Sequence, residues 1–227
     1  SLAAEQVKAL LDGQANVVAL DARRFDEYQT MSIPGGISVP GAELVLRVAE
    51  LAPDPATQVI VNCAGRTRSI IGTQSLINAG IPNPVAALRN GTIGWTLAGQ
   101  QLAHGQDRRF AEVGAGTRAN AAGQARAVAD RAGVLRLDRA GLGRWQADTQ
   151  RTLYLFDVRT TEEYSAGHLP GSRSVPGGQL VQETDHVASV RGARIALVDD
   201  DGVRANMSAS WLAQMGWQVA VVDGLTA

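Results

Sequence analysis

The segment Asp21-Ala22-Arg23, followed by Glu27-Tyr28, recurs 136 residues later as Asp157-Val158-Arg159 followed by Glu163-Tyr164. At the same offset Pro34-Gly35-Gly36-Ile37-Ser38-Val39-Pro40-Gly41 returns as Pro170-Gly171-Ser172-Arg173-Ser174-Val175-Pro176-Gly177. Chance does not hold one register over such a span, so the chain carries a duplicated unit and folds as two homologous domains. Its 227 residues are enough for each half to bury a core of its own. The repeat gives a first domain over 1–110 and a second over 127–227. Between them, over 111–126, Gly, Ala, Thr and Asn dominate with little apolar periodicity, which predicts a linker. Contact between the two domains is expected.

Short apolar runs alternate with amphipathic segments in each copy. Val17 to Leu20, Val59 to Val61 and Val85 to Leu88 read as strands in the first; Leu153 to Phe156, Ile195 to Val198 and Val219 to Val222 take their place in the second. None alternates apolar with polar, the pattern of parallel strands covered on both faces. Ala42 to Leu51, Ser69 to Ala79 and, in the second copy, Ser208 to Gln214 carry helical spacing, with Gly80 and Gly216 as stops. The fold class is therefore α/β, a mostly parallel sheet flanked by helices in each domain, and the two sheets should superpose. The second copy ends at Asp223-Gly224-Leu225-Thr226-Ala227 without the closing helix that follows Asn90-Gly91 in the first. The expectation is a piece of a longer protein, truncated within its second domain.

A net charge of -1 and 4% aromatic residues supply neither a phosphate-binding footprint nor stacking platforms, which argues against nucleic acid as a partner. No apolar run is long enough for a membrane span. With one cysteine, Cys63, no internal disulfide can form, and with no leader pattern the expected location is a reducing cytoplasm.

That cysteine closes the strand Val59-Ile60-Val61 and opens Cys63-Ala64-Gly65-Arg66-Thr67-Arg68-Ser69, a small-residue loop with two cations that runs straight into a helix. Ligands of parallel sheets bind at this end, beyond the carboxyl ends of the strands. Loop N–H groups, the helix N-terminus and the guanidinium groups of Arg66 and Arg68 all favour a negative sulfur there. Gly65 lets the backbone curl without obstructing the cradle.

These residues resemble the rhodanese-like (thiosulfate sulfurtransferase) family in both copies. The match is carried by Asp-x-Arg with Glu-Tyr downstream, by the Pro-Gly-x-x-x-x-Pro turn and by the Cys-to-Arg loop. Asn90-Gly91 to Trp95 resembles the family's Gly-Gly-x-x-x-Trp ending, with Asn90 departing from the first glycine. The resemblance implies that Cys63 takes a sulfane sulfur as a persulfide and passes it to a thiol or cyanide. It also implies a small anionic donor held by Arg66, with Arg68 matching the arginine that closes the family's loop. On this reading Cys63 is catalytic, and Ala64, Gly65, Arg66, Thr67, Arg68 and Ser69 bind substrate. Two displacements follow: the Cys63 thiolate attacks the outer sulfur of thiosulfate while both arginines neutralise departing sulfite, and an acceptor then removes the sulfur. No metal or organic cofactor is called for. Four residues separate Cys63 from Arg68, against five in the related cysteine phosphatases, so sulfur rather than a tetrahedral phosphate is the expected cargo.

At the position equivalent to Cys63 the second copy has Asp199, and Arg204 matches Arg68. A carboxylate cannot carry a sulfane sulfur, so this copy is expected to be silent, with Asp199 accepting N–H bonds in place of a thiolate. A metal site on Asp199-Asp200-Asp201 is the alternative. Asp21, Arg23 and Glu27, like Asp157, Arg159 and Glu163, are expected to brace the strand-to-helix turn, and the four tryptophans to serve packing. The competing function is a non-catalytic binding or redox-sensing module of a longer protein.

Overall fold

The computed structural model describes residues 1–224; the end of the second copy at residues 225–227 lies outside the described residues. The chain divides into two compact units, Ser1–Thr117 and Arg118–Ala227.

The first unit runs α1 (Ala4–Asp12), β1 (Val17–Asp21), α2 (Phe25–Thr30), β2 (Ile37–Ser38), a short 3-10 turn (Gly41–Glu43), α3 (Leu44–Leu51), β3 (Gln58–Asn62), α4 (Thr67–Ala79), β4 (Val85–Ala87) and α5 (Gly91–Leu97). The second runs α6 (Ala115–Arg131), β5 (Leu135–Leu137), α7 (Arg139–Ala147), β6 (Leu153–Asp157), α8 (Thr161–Ala166), β7 (Arg173–Ser174), α9 (Gly177–Gln182), α10 (Thr184–Val187), β8 (Arg194–Val198), α11 (Arg204–Gln214) and β9 (Gln218–Val222). Both sheets are parallel: β2-β1-β3-β4 in the first unit, and β7-β6-β8-β9-β5 in the second. The shared four-strand order is the expected correspondence. The extra strand β5 continues β9's edge, where the first unit has a single parallel bridge between Leu2 and Leu88.

The stretch expected to be a linker differs. Most of it belongs to the 17-residue helix α6, which spans the division between the units. Ala, Arg and Gln are good helix formers, and Ala121, Ala125, Val128 and Ala129 sit at helical spacing and are buried. A composition of small residues concealed that stripe.

In the first unit one core layer gathers Val7, Ile33, Ile60, Leu88 and Trp95, with the Trp95 indole N–H donating to Gln101 O at 2.9 Å. On the opposite face a Cβ added to Gly72 of α4 would lie 2.5 Å from Leu44 Cδ1 and 3.2 Å from Val61 Cγ1, so glycine lets α4 sit close on α3 and β3. The second unit packs Phe156, Leu180, Ile195, Leu197, Leu212 and Val219 in the same way.

The repeated residues make repeated bonds. Arg23 pairs with Asp21 through its Nε at 2.9 Å and an Nη at 2.7 Å and reaches Met31 O; Arg159 treats Asp157 and Gly167 O alike. The Tyr28 hydroxyl donates to Gly36 O and that of Tyr164 to Ser172 O, each at 2.8 Å. The Asp21–Arg23 pair is almost fully buried, with side chains 1% and 3% exposed. Removing one partner of such a pair strands a charge, so Arg23→Ala should cost about 3–5 kcal/mol. Hydrogen exchange followed by mass spectrometry should show faster exchange in first-unit peptides while those of the second unit are unchanged.

Candidate active site

Parallel pairing brings Asp21 at the end of β1 beside Asn62 at the end of β3, and Asn62 Nδ2 donates to Asp21 Oδ2 at 3.0 Å. Cys63 follows at once, so its loop starts from the carboxyl edge of the sheet. The thiol is 2% exposed and lies on the loop's floor, where Sγ donates to Ser69 Oγ at 3.4 Å. The Ser69 hydroxyl in turn donates to Arg66 O at 3.0 Å.

The loop's shape is imposed from the side by α5. The N–H of Thr92 donates to Cys63 O at 2.9 Å and that of Ile93 to Ala64 O at 3.1 Å. These bonds hold two carbonyls away from the sulfur. Gly91, with φ +55, makes the approach feasible: a Cβ there would overlap Cys63 O and come within 2.8 Å of the Ala64 carbonyl. The N–H groups from Ala64 to Ser69 meet no protein acceptor among the described residues, leaving an anion cradle at the start of α4.

The two arginines divide their work. Arg66 is exposed and makes no ion pair among the described residues. Arg68 instead turns to α2, giving Glu27 two hydrogen bonds at 2.6 and 2.8 Å. These bonds hold the Glu27 carboxyl below its ordinary range, and against the cost of burial they raise Arg68 above its own. The expectation that both arginines face the leaving group therefore meets a different geometry for Arg68. Glu27 braces its own turn as expected, accepting from the Arg24 N–H at 3.3 Å, and it also fastens α2 to the end of the cysteine loop. The same pairing recurs as Glu163 with Arg204, at 2.5 and 3.0 Å. Although burial works against the Glu163 anion, Arg204 draws its carboxyl down to about 2.

In the second unit the cradle is occupied from within. Asp199 accepts from Gly202 N at 3.2 Å and Ala205 N at 2.8 Å, while Asp201 accepts from Val203 N at 2.6 Å and Arg204 N at 3.1 Å. The expected role of Asp199 is thus observed; that of Asp201, a position where the first copy has Gly65, went unread in the sequence. Asp200 and Asp201 also bind the Arg204 guanidinium. No cluster of three or more His, Cys, Asp or Glu suited to a metal occurs among the described residues.

Other residues fall to structure. His168 stacks on Tyr164 with ring centroids 3.8 Å apart, His104 and His186 are exposed, and Trp95, Trp145 and Trp217 pack in cores. No described helix is long and apolar enough to cross a membrane.

A parallel α/β unit whose second long strand leads through a six-residue loop, closed by an arginine, into a helix occurs twice, with cysteine heading the loop in the first copy and aspartate in the second, and this defines the domain class. Residues 3–98 and 140–224 both match the Rhodanese-like domain family, and the chain belongs to it. It is 83% identical to a crystal structure of thiosulfate sulfurtransferase from Pseudomonas aeruginosa, with a TM-score of 0.99 over 99% of this chain and 43% of that one. An HTH-type transcriptional regulator from Mycobacterium tuberculosis is 34% identical over 89 residues, 39% of this chain and 38% of its own length. The chain thus spans less than half the length of either relative.

Two outcomes follow from this geometry. Gly91→Ala should push the loop carbonyls toward the cradle and slow alkylation of Cys63 at least tenfold, measured by mass spectrometry. In the second unit, burial and the adjacent Asp201 carboxylate push Asp199 up to about 8. The folded state then binds more protons than the unfolded one above the ordinary aspartate value of 3.8, so this unit should lose stability as pH rises from there toward 8. Asp199→Asn should flatten that slope in denaturant titrations of the second unit's exchange-protected core.

Proposed function

We propose that this chain is a sulfurtransferase unit that carries a sulfane sulfur on Cys63. The observation that carries the reading is the run of backbone N–H groups from Ala64 to Ser69 with no protein acceptor among the described residues, set beside the equivalent loop of the second unit, where the Asp199 and Asp201 side chains accept such N–H groups. Donors converging at a helix start support a negative sulfur on Cys63. The 83% identity to a thiosulfate sulfurtransferase supports the same chemistry.

In the first step the Cys63 thiolate attacks the outer sulfur of thiosulfate or a similar small anionic donor. The donor's S–S bond breaks, and sulfite leaves with the electron pair. Arg66 is the cation available to sulfite, since Arg68 is held by Glu27 and acts by fixing the loop. Backbone N–H groups from Ala64 to Ser69 receive the persulfide anion as an oxyanion hole receives oxygen. A thiol or cyanide then takes the outer sulfur and Cys63 returns as a thiolate. The second unit, with Asp199 and Asp201 in its cradle, carries no sulfur. A reducing cytoplasm suits a lone nucleophilic thiol.

Intact mass after incubation with thiosulfate tests the reading. The chain should gain about 32 Da, one sulfur atom, reversible by dithiothreitol. Cys63→Ser should gain nothing. An unchanged wild-type mass, with Cys63 still open to alkylation, would move the function to the binding-module class.

A further inference from the structure

A cavity of about 260 Å³ lies beside the cysteine loop, between the start of α4 and the end of β4; it shares Arg66 and Ser69 with the loop, while Ile70, Leu88, Arg89 and Asn90 have no part in the two displacements above. Arg66, Ser69, Ile70, Leu88, Arg89 and Asn90 line it. Ser69 is the shared wall, its Oγ 3.4 Å from Cys63 Sγ. Arg66 and Arg89 are both exposed and make no ion pair among the described residues, in a chain where Arg23, Arg47, Arg68, Arg159 and Arg204 are all paired. Arg89 reaches this wall because its N–H is fixed to Leu2 O at 2.8 Å and Asn90 adopts a left-handed conformation with φ 60 before α5 begins.

Size and lining both discriminate. The volume is that of roughly nine liquid waters, at about 30 Å³ each, well beyond a five-atom inorganic anion. Its wall joins two guanidinium groups to apolar surface from Ile70, which is 49% exposed. Such a lining fits an organic molecule with a short hydrocarbon part and an anionic end. Cyanide has neither.

We infer that this cavity is the acceptor subsite, that it selects small organic thiols bearing a carboxylate or sulfonate, and that Arg89 is its specificity-determining residue. The inference rests on the sulfurtransferase reading and names its acceptor. The anionic end docks between Arg89 and Arg66, and the chain extends past Ser69 toward the persulfide. The acceptor's thiolate attacks the outer sulfur of the Cys63 persulfide. A bond forms between those two sulfurs, the Cys63 S–S bond breaks, and its electron pair returns to Cys63 as a thiolate. The acceptor leaves as an organic persulfide, and no external oxidant or reductant enters the balance.

The test separates loading from discharge. The chain is first charged with thiosulfate and its mass gain recorded, then discharged with 3-mercaptopropionate or with uncharged 3-mercaptopropanol of similar size. Time-resolved intact mass gives the rates. The carboxylate thiol should discharge the persulfide about tenfold more efficiently, through a lower KM rather than a higher kcat, and added salt should erode the preference. Arg89→Gln should bring the ratio of the two thiols near one, and Arg89→Lys should retain most of it. Equal rates in the wild type, or a preference undiminished in Arg89→Gln, would overturn the inference while leaving sulfur transfer intact. Failure to charge at all would overturn the function itself, and this subsite with it.

Discussion

The ion pair between Glu27 and Arg68 sets the geometry on which the rest of the site depends. Arg68 stands in the first turn of α4, and its two bonds to α2 anchor the far end of a loop whose near end is the last residue of β3. Between these fixed points, five residues, 63–67, have to turn the chain from strand to helix. The bonds from Thr92 and Ile93 take the loop's first two carbonyls outward, so the remaining polarity presented around Cys63 is that of N–H groups. Preorganisation of this kind costs nothing at the moment a negative sulfur forms. It also explains why Arg68 can be neutralised by a carboxylate without disabling the cradle: the backbone and Arg66 supply the positive field.

The sheet strands and the duplication were legible in the sequence because both signals are dense. A buried parallel strand is a continuous apolar run, and a duplication repeats its turn residues at one offset. Strands of two residues, β2 and β7, left no such run, and the alanine-rich α6 hid its buried stripe in a composition that reads as loop. Within the loop, Cys63, Arg66 and Ser69 could be read together because they fall in one seven-residue stretch. The partner of Arg68 was missed because it lies 41 residues upstream. A signal did exist: Glu27 and Arg68 persist together as Glu163 and Arg204, and a pair kept in both copies at one separation is a candidate contact. The dependence on Gly91 could only come from three dimensions, since its clash is with the backbone of a segment far away in sequence.

The two copies also define what the braces are for. Both retain the Asp–Arg pair at the end of the first long strand, the tyrosine bond across the turn, and the Glu–Arg anchor of the helix after the loop. Only one has a thiol. These contacts therefore belong to the architecture of the unit, which stands with or without a cysteine at the head of its loop. This matters for mutagenesis, because loss of turnover on altering Glu27 or Arg68 reports on loop geometry rather than on contact with substrate.

The occupied cradle carries a consequence for substitution at its first position. Asp199 and Asp201 together accept N–H bonds from Gly202, Val203, Arg204 and Ala205, the positions equivalent to Arg66, Thr67, Arg68 and Ser69 in the first unit. An apolar replacement at position 199 leaves two donors at the start of α11, the N–H groups of Gly202 and Ala205, without these acceptors. The second unit's loop is thus built around acceptors of its own: where the first unit has a thiol, it furnishes the carboxyl oxygens that its N–H groups meet.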